Sequence, residues 1–99
     1  MPREFLDVDP RTLRLPTARL GGADPAKLQR QIAQHRTSIA RMPPLLVSRG
    51  TDGELAIVDG VTWATRVGKL LPGTTVRVEV IDEPPESYGG RPTVGERLP

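Results

Sequence analysis

Apolar residues along this chain come in short blocks separated by Pro, Gly and Asp. Glu4 to Val8 carries Phe5, Leu6 and Val8 and runs into Asp9-Pro10. The Pro10 ring keeps Asp9 out of helical geometry, so a short strand ending in a turn is expected. Arg11 to Leu15 alternates, with Leu13 and Leu15 on one side, which predicts a second short extended piece closed by Pro16. Gly21-Gly22 forms a flexible joint. Asp24-Pro25 then marks a helix start: the Asp carboxylate accepts from free first-turn amides, and Pro fits the first helical position, where its missing N–H is no loss. Leu28, Ile32 and either His35 or Ile39 share one face of this helix, while Lys27, Arg30, Gln31 and Gln34 lie elsewhere, the pattern of a half-buried helix. Pro43-Pro44 bounds it.

The second half is punctuated more sharply. Leu45-Leu46-Val47 and Leu55-Ala56-Ile57-Val58 flank Thr51-Asp52-Gly53-Glu54, where Asp-Gly favours positive φ, and together they predict a hairpin. Asp59-Gly60 ends its second strand. From Val61 to Leu71 the period is helical, with Trp63, Val67 and Leu70 along one stripe, until Pro72-Gly73 stops it. Thr75 to Ile81 alternates, with Val76, Val78 and Val80 on one face and Arg77 and Glu79 on the other, which predicts a strand. After Ile81 aliphatic residues nearly vanish and Pro84-Pro85, Gly89-Gly90, Pro92 and Gly95 appear. Residues 82–99 are therefore expected to form an extended or disordered tail behind a folded domain of residues 1–81.

Composition narrows the chemistry. The 99 residues suit one domain with a modest core, built on Leu, Ile and Val because only Phe5, Trp63 and Tyr88 are aromatic. There is no cysteine, which excludes disulfides, thiolate metal sites and cysteine nucleophiles. One histidine, His35, excludes a multi-histidine metal centre. The Met1-Pro2-Arg3-Glu4 start has no apolar run behind it and no stretch approaches membrane-spanning length, so a cytoplasmic protein without a membrane partner is expected. The net charge of +2 is small, and arginine supplies twelve of the 14 basic residues. That balance is compatible with nucleic acid without requiring it.

The order strand, helix, strand, turn, strand, Gly-started helix, strand describes an α/β (α+β) domain with a mixed sheet and two main helices. The segments Leu6-Asp7-Val8, Asp24-Pro25-Ala26-Lys27-Leu28 with Ile32, Pro44-Leu45-Leu46-Val47, Asp52-Gly53-Glu54-Leu55-Ala56-Ile57-Val58-Asp59-Gly60 and Thr75-Val76-Arg77-Val78-Glu79-Val80 resemble, in order and spacing, the N-terminal domain of ParB partition proteins and the related sulfiredoxin fold. The resemblance covers roughly residues 5 to 81. It implies a phosphate site where the glycine ends a strand and the next helix begins, because free amides and the helix dipole favour an anion there.

This chain departs from the family motif at that place. Gly60 is present, but the nucleophile position of sulfiredoxin falls on Val61, which has no reactive atom, and the family arginine falls on Trp63. The expected phosphate-binding set is therefore Gly60, the Thr62 hydroxyl and Arg66, with Arg36 or Arg41 adding charge. Trp63 reads either as core or as a stacking platform for a base. The implied ligand is a nucleotide, with Mg2+ as its companion ion, or a nucleic-acid phosphate, bound by a noncatalytic or weakly catalytic module. Two alternatives stand beside this. Asp7, Asp9 and Asp59 gathered around a divalent cation would suit a nuclease or nucleotide hydrolase. A regulator that uses the fold as a surface would bind a protein partner instead. For Asp59-Gly60 the plain alternative is a strand-to-helix connection in which Asp59 or Thr62 caps the helix.

Overall fold

The computed structural model describes residues 2–99. The strands are β1 (Glu4–Val8), β2 (Leu45–Arg49), β3 (Leu55–Asp59) and β4 (Val76–Asp82), and the helices are α1 (Pro25–His35) and α2 (Val61–Leu70). The Asp52-Gly53 turn returns β3 antiparallel to β2. α2 then carries the chain across to the far side of β2, where β4 pairs with it in parallel. β1 adds antiparallel to β4, giving the order β1-β4-β2-β3. The chain is thus a small α+β domain with a mixed four-stranded sheet and two helices.

Local chemistry accounts for the elements. Asp24 caps α1 with its carboxylate, which accepts from the Ala26 N–H at 2.9 Å and the Lys27 N–H at 3.4 Å. On β4, Val76 and Val78 are buried while Arg77 between them is exposed, the period-two pattern of a strand with one covered face. The core joins Leu45, Val47, Ile57, Val76 and Val78 of the sheet to Ala64 and Val67 of α2, with Leu13, Leu15 and Val94 closing it.

Two features differ from the sequence reading. The piece from Arg11 to Leu15 is a 3₁₀ turn at Pro10–Thr12 followed by a short extended run. That run lies along β3: the Arg14 N–H donates to the Leu55 carbonyl at 2.8 Å, and the Ile57 N–H donates to the Arg14 carbonyl at 2.9 Å. Phe5 lies on the outer face of β1, because its register partner is Glu79, whereas Leu6 opposite Val78 faces the core.

The second difference is residues 82–99. Asp82 ends β4, and the rest, expected to be extended or disordered, is docked against the domain. Asp52 accepts from the Gly89 N–H at 2.8 Å and from the Tyr88 N–H. The Tyr88 hydroxyl lies 2.8 Å from the Ser48 hydroxyl, Thr93 bridges to Arg14, and Tyr88 and Val94 are both buried. Burial opposes the Asp52 charge, but the amides of Gly89, Glu54 and Tyr88 outweigh it and hold its carboxyl below the usual carboxylate range. Two well-placed apolar side chains and a carboxylate clasp anchor this segment, so its composition hides its packing.

No helix among the described residues is long and apolar enough to cross a membrane.

Candidate functional site

The backbone at Gly60 leaves no choice of residue. Its φ of +118° is one that L side chains rarely adopt, and a Cβ there would stand 2.5 Å from Leu45 Cδ2. Gly60 is the N-cap of α2, and no side chain among the described residues caps this helix. The Ala64 N–H closes the first turn on the Gly60 carbonyl at 2.9 Å. The preceding amides, those of Val61, Thr62 and Trp63, have no acceptor among the described residues. Neither Asp59 nor Thr62 takes the capping role.

The residues that carry these amides line an open cavity of about 560 Å³. One wall is the start of α2 from Asp59 to Trp63. The facing wall is α1, through Lys27, Arg30, Gln31, Gln34 and His35, and the segment around Pro16 and Arg19 completes the rim. Lys27 and Arg30 are exposed and pair with no carboxylate among the described residues. Arg19 stands 4.0 Å from Asp24. The Asp24 carboxylate is held below its ordinary pKa by the Ala26 and Lys27 amides, with Arg19 and Lys27 adding a smaller attraction. Arg19, Lys27 and Arg30 thus face the cavity together with the carboxylates of Asp24 and Asp59.

The residues expected to form the site are divided by the structure. Gly60, Thr62 and Trp63 line the cavity; Arg66, Arg36 and Arg41 do not. Arg66 is completely buried and turned toward the end of α1. Its Nε donates to Gln31 Oε1 at 3.0 Å and its Nη1 donates to the Arg36 carbonyl at 2.7 Å, so its charge meets the negative end of that helix. Desolvation lowers its pKa, and among the described residues no carboxylate reaches it and Nη2 has no partner. Its expected role as a phosphate ligand is corrected to that of a buried cap on α1. Arg36 and Arg41 are exposed in the connection after α1, both with positive φ, and Arg36 contributes its carbonyl rather than its guanidinium.

Trp63 is half-buried and serves both packing and the cavity. Its ring lies 4.9 Å from His35 at a 41° tilt, and the Arg66 guanidinium carbon sits 5.2 Å from its centroid, within cation–π range. The indole forms a side of the cavity without filling it.

The clustered-carboxylate alternative lacks its cluster. Asp7 is on β1 and Asp59 on β3, the opposite edges of the sheet. Asp9 caps the turn at Pro10–Thr12 by accepting from the Arg11 N–H. No group of three His, Cys, Asp or Glu side chains placed to hold a metal occurs among the described residues.

The cavity-facing side of α1 was legible as spacing but not as orientation. Lys27, Arg30, Gln31 and Gln34 recur at helical intervals of three and four, which marks one face. The pattern reads as solvated surface until α2 is placed opposite it. Compared with protein-family models and with curated proteins, the chain matches none.

Proposed function

We propose that this domain is a ParB-like phosphate-binding module whose ligand is a nucleotide or a nucleic-acid phosphate. The observation that carries the reading is the convergence of three unpaired α2 amides with the free charges of Lys27 and Arg30 on one cavity. A phosphate group accepts from the amides of residues 61–63 and gains from the helix dipole, while Thr62 offers a hydroxyl. Lys27 and Arg30 supply positive charge from across the cavity, and the half-buried Trp63 ring offers a face on which a base stacks. Mg2+ would arrive on the phosphates, and Asp59 on the cavity wall is a carboxylate that no other side chain among the described residues engages.

The module binds without catalysis. Two of the groups on its walls are already engaged: His35 packs against Trp63 and the Asp24 carboxylate accepts from amides. The test is thermal unfolding with nucleoside triphosphates, inorganic pyrophosphate and short single-stranded DNA, each with and without Mg2+. A ligand specific to the folded state raises Tm with concentration. The rise should shrink steeply as salt increases. Arg30→Ala should weaken binding roughly tenfold, about 1.4 kcal/mol, at low salt. No shift with any of these probes contradicts the reading.

A further inference from the structure

The two edges of the sheet are finished differently. The outer edge of β3 is covered by Arg14, and that run is covered in turn: the Leu15 N–H donates to the Pro92 carbonyl and the Val94 N–H to the Leu13 carbonyl, each at 2.9 Å. β1 pairs with β4 on one side only, and its other side has no backbone partner among the described residues. Its pairing with β4 has no bulge, and no proline interrupts Glu4–Val8. A regular, bare edge of this kind is a template for another strand.

We infer that β1 pairs antiparallel with β1 of a second copy of this chain, about a two-fold axis at Phe5. Such an axis sets Arg3 opposite Asp7 of the second copy, and the reverse, so both charge pairs attract. Moving the axis to Glu4 or to Asp7 sets like charges against each other, which disfavours those registers. Arg3, Phe5 and Asp7 share the outer face: the Arg3 and Arg77 guanidinium carbons lie 5.0 and 5.9 Å from the Phe5 centroid, and Arg77 reaches Asp7 at 3.6 Å. In the paired sheet the row Arg77–Asp7 continues into Arg3 of the second copy, and Arg3 in turn holds Glu79. Signs alternate across the junction. Phe5, 38 % exposed in the single chain, meets its own copy at the axis. The strand is short, so the interface lies at the small end of the specific range.

Charge reversal tests both the pairing and its register. Arg3 and Asp7 are 67 % and 60 % exposed, so changing them leaves the core untouched. Sedimentation of the wild-type chain from about 1 µM to 1 mM should show a monomer–dimer equilibrium. Arg3→Asp alone and Asp7→Arg alone should each shift it to monomer by at least tenfold. An equimolar mixture of the two variants should dimerise again, because each charge then finds its opposite. A wild-type chain that stays monomeric throughout, or a dimer indifferent to both substitutions, overturns the inference. A mixture no better than its components overturns the register.

Discussion

Asp24-Pro25 and Asp59-Gly60 each begin a helix beside the same cavity, and the two starts are finished in opposite ways. At α1 the Asp24 carboxylate satisfies the first amides, so the chain supplies its own anion. The far end of α1 is closed as well, by the guanidinium of Arg66 on the Arg36 carbonyl. At α2 the residue before the helix is a glycine with no side chain to offer, and Asp59 does not turn back to cap. One helix is electrically complete, while the other keeps its positive end open to whatever enters between them. The difference teaches that an acidic residue near a helix start does not by itself close it; the backbone of the capping residue decides.

The comparison can be broken at each end. Arg66→Ala should have the largest effect, a loss of about 2–4 kcal/mol in chemical denaturation, because it removes two hydrogen bonds and a buried aliphatic stem. Arg66→Met should recover much of that, since it keeps volume and removes a buried charge that lacks a carboxylate. Gly60→Ala follows, with a loss of about 2 kcal/mol or more from its positive φ and the Leu45 contact. Arg36→Gly should instead stabilise the fold by about 1 kcal/mol by relieving its φ of +51°, with phosphate affinity unchanged.

Asp24→Ala is the mildest change. The folded-state pKa of Asp24 is lowered, so its contribution is present above its unfolded pKa of about 3.9 and fades as pH falls through the folded value. Thermal melts of Asp24→Ala should therefore lie below wild type at pH 7 and merge with it in strong acid. A gap that persists unchanged in acid would show that the carboxylate charge is not what closes α1.

How much of this was legible in the chain follows from which interactions are local. The Asp24 cap, the Asp52-Gly53 turn and the valine alternation of β4 depend on neighbours within a few residues, and each appears where the spacing places it. Arg66 could not be placed that way. Its position one turn into α2 suggested a reach toward the helix start, but its partners are on α1, 30 and 35 residues away. Tyr88 and Val94 are similar: their neighbours are Ser48 and Leu13, so a stretch poor in aliphatic side chains still holds two buried anchors. Gly60 was visible as a helix-starting glycine, while the clash that demands it comes from Leu45 across the sheet.

The central claim is that the α2 amides are open to an anion while those of α1 are not. Amide-resolved NMR titration with inorganic pyrophosphate compares the two helix starts in one sample. The account predicts saturable shifts at Val61, Thr62 and Trp63 and far smaller ones at Ala26. Equal shifts at both helix starts, or none at residues 61–63, would contradict it.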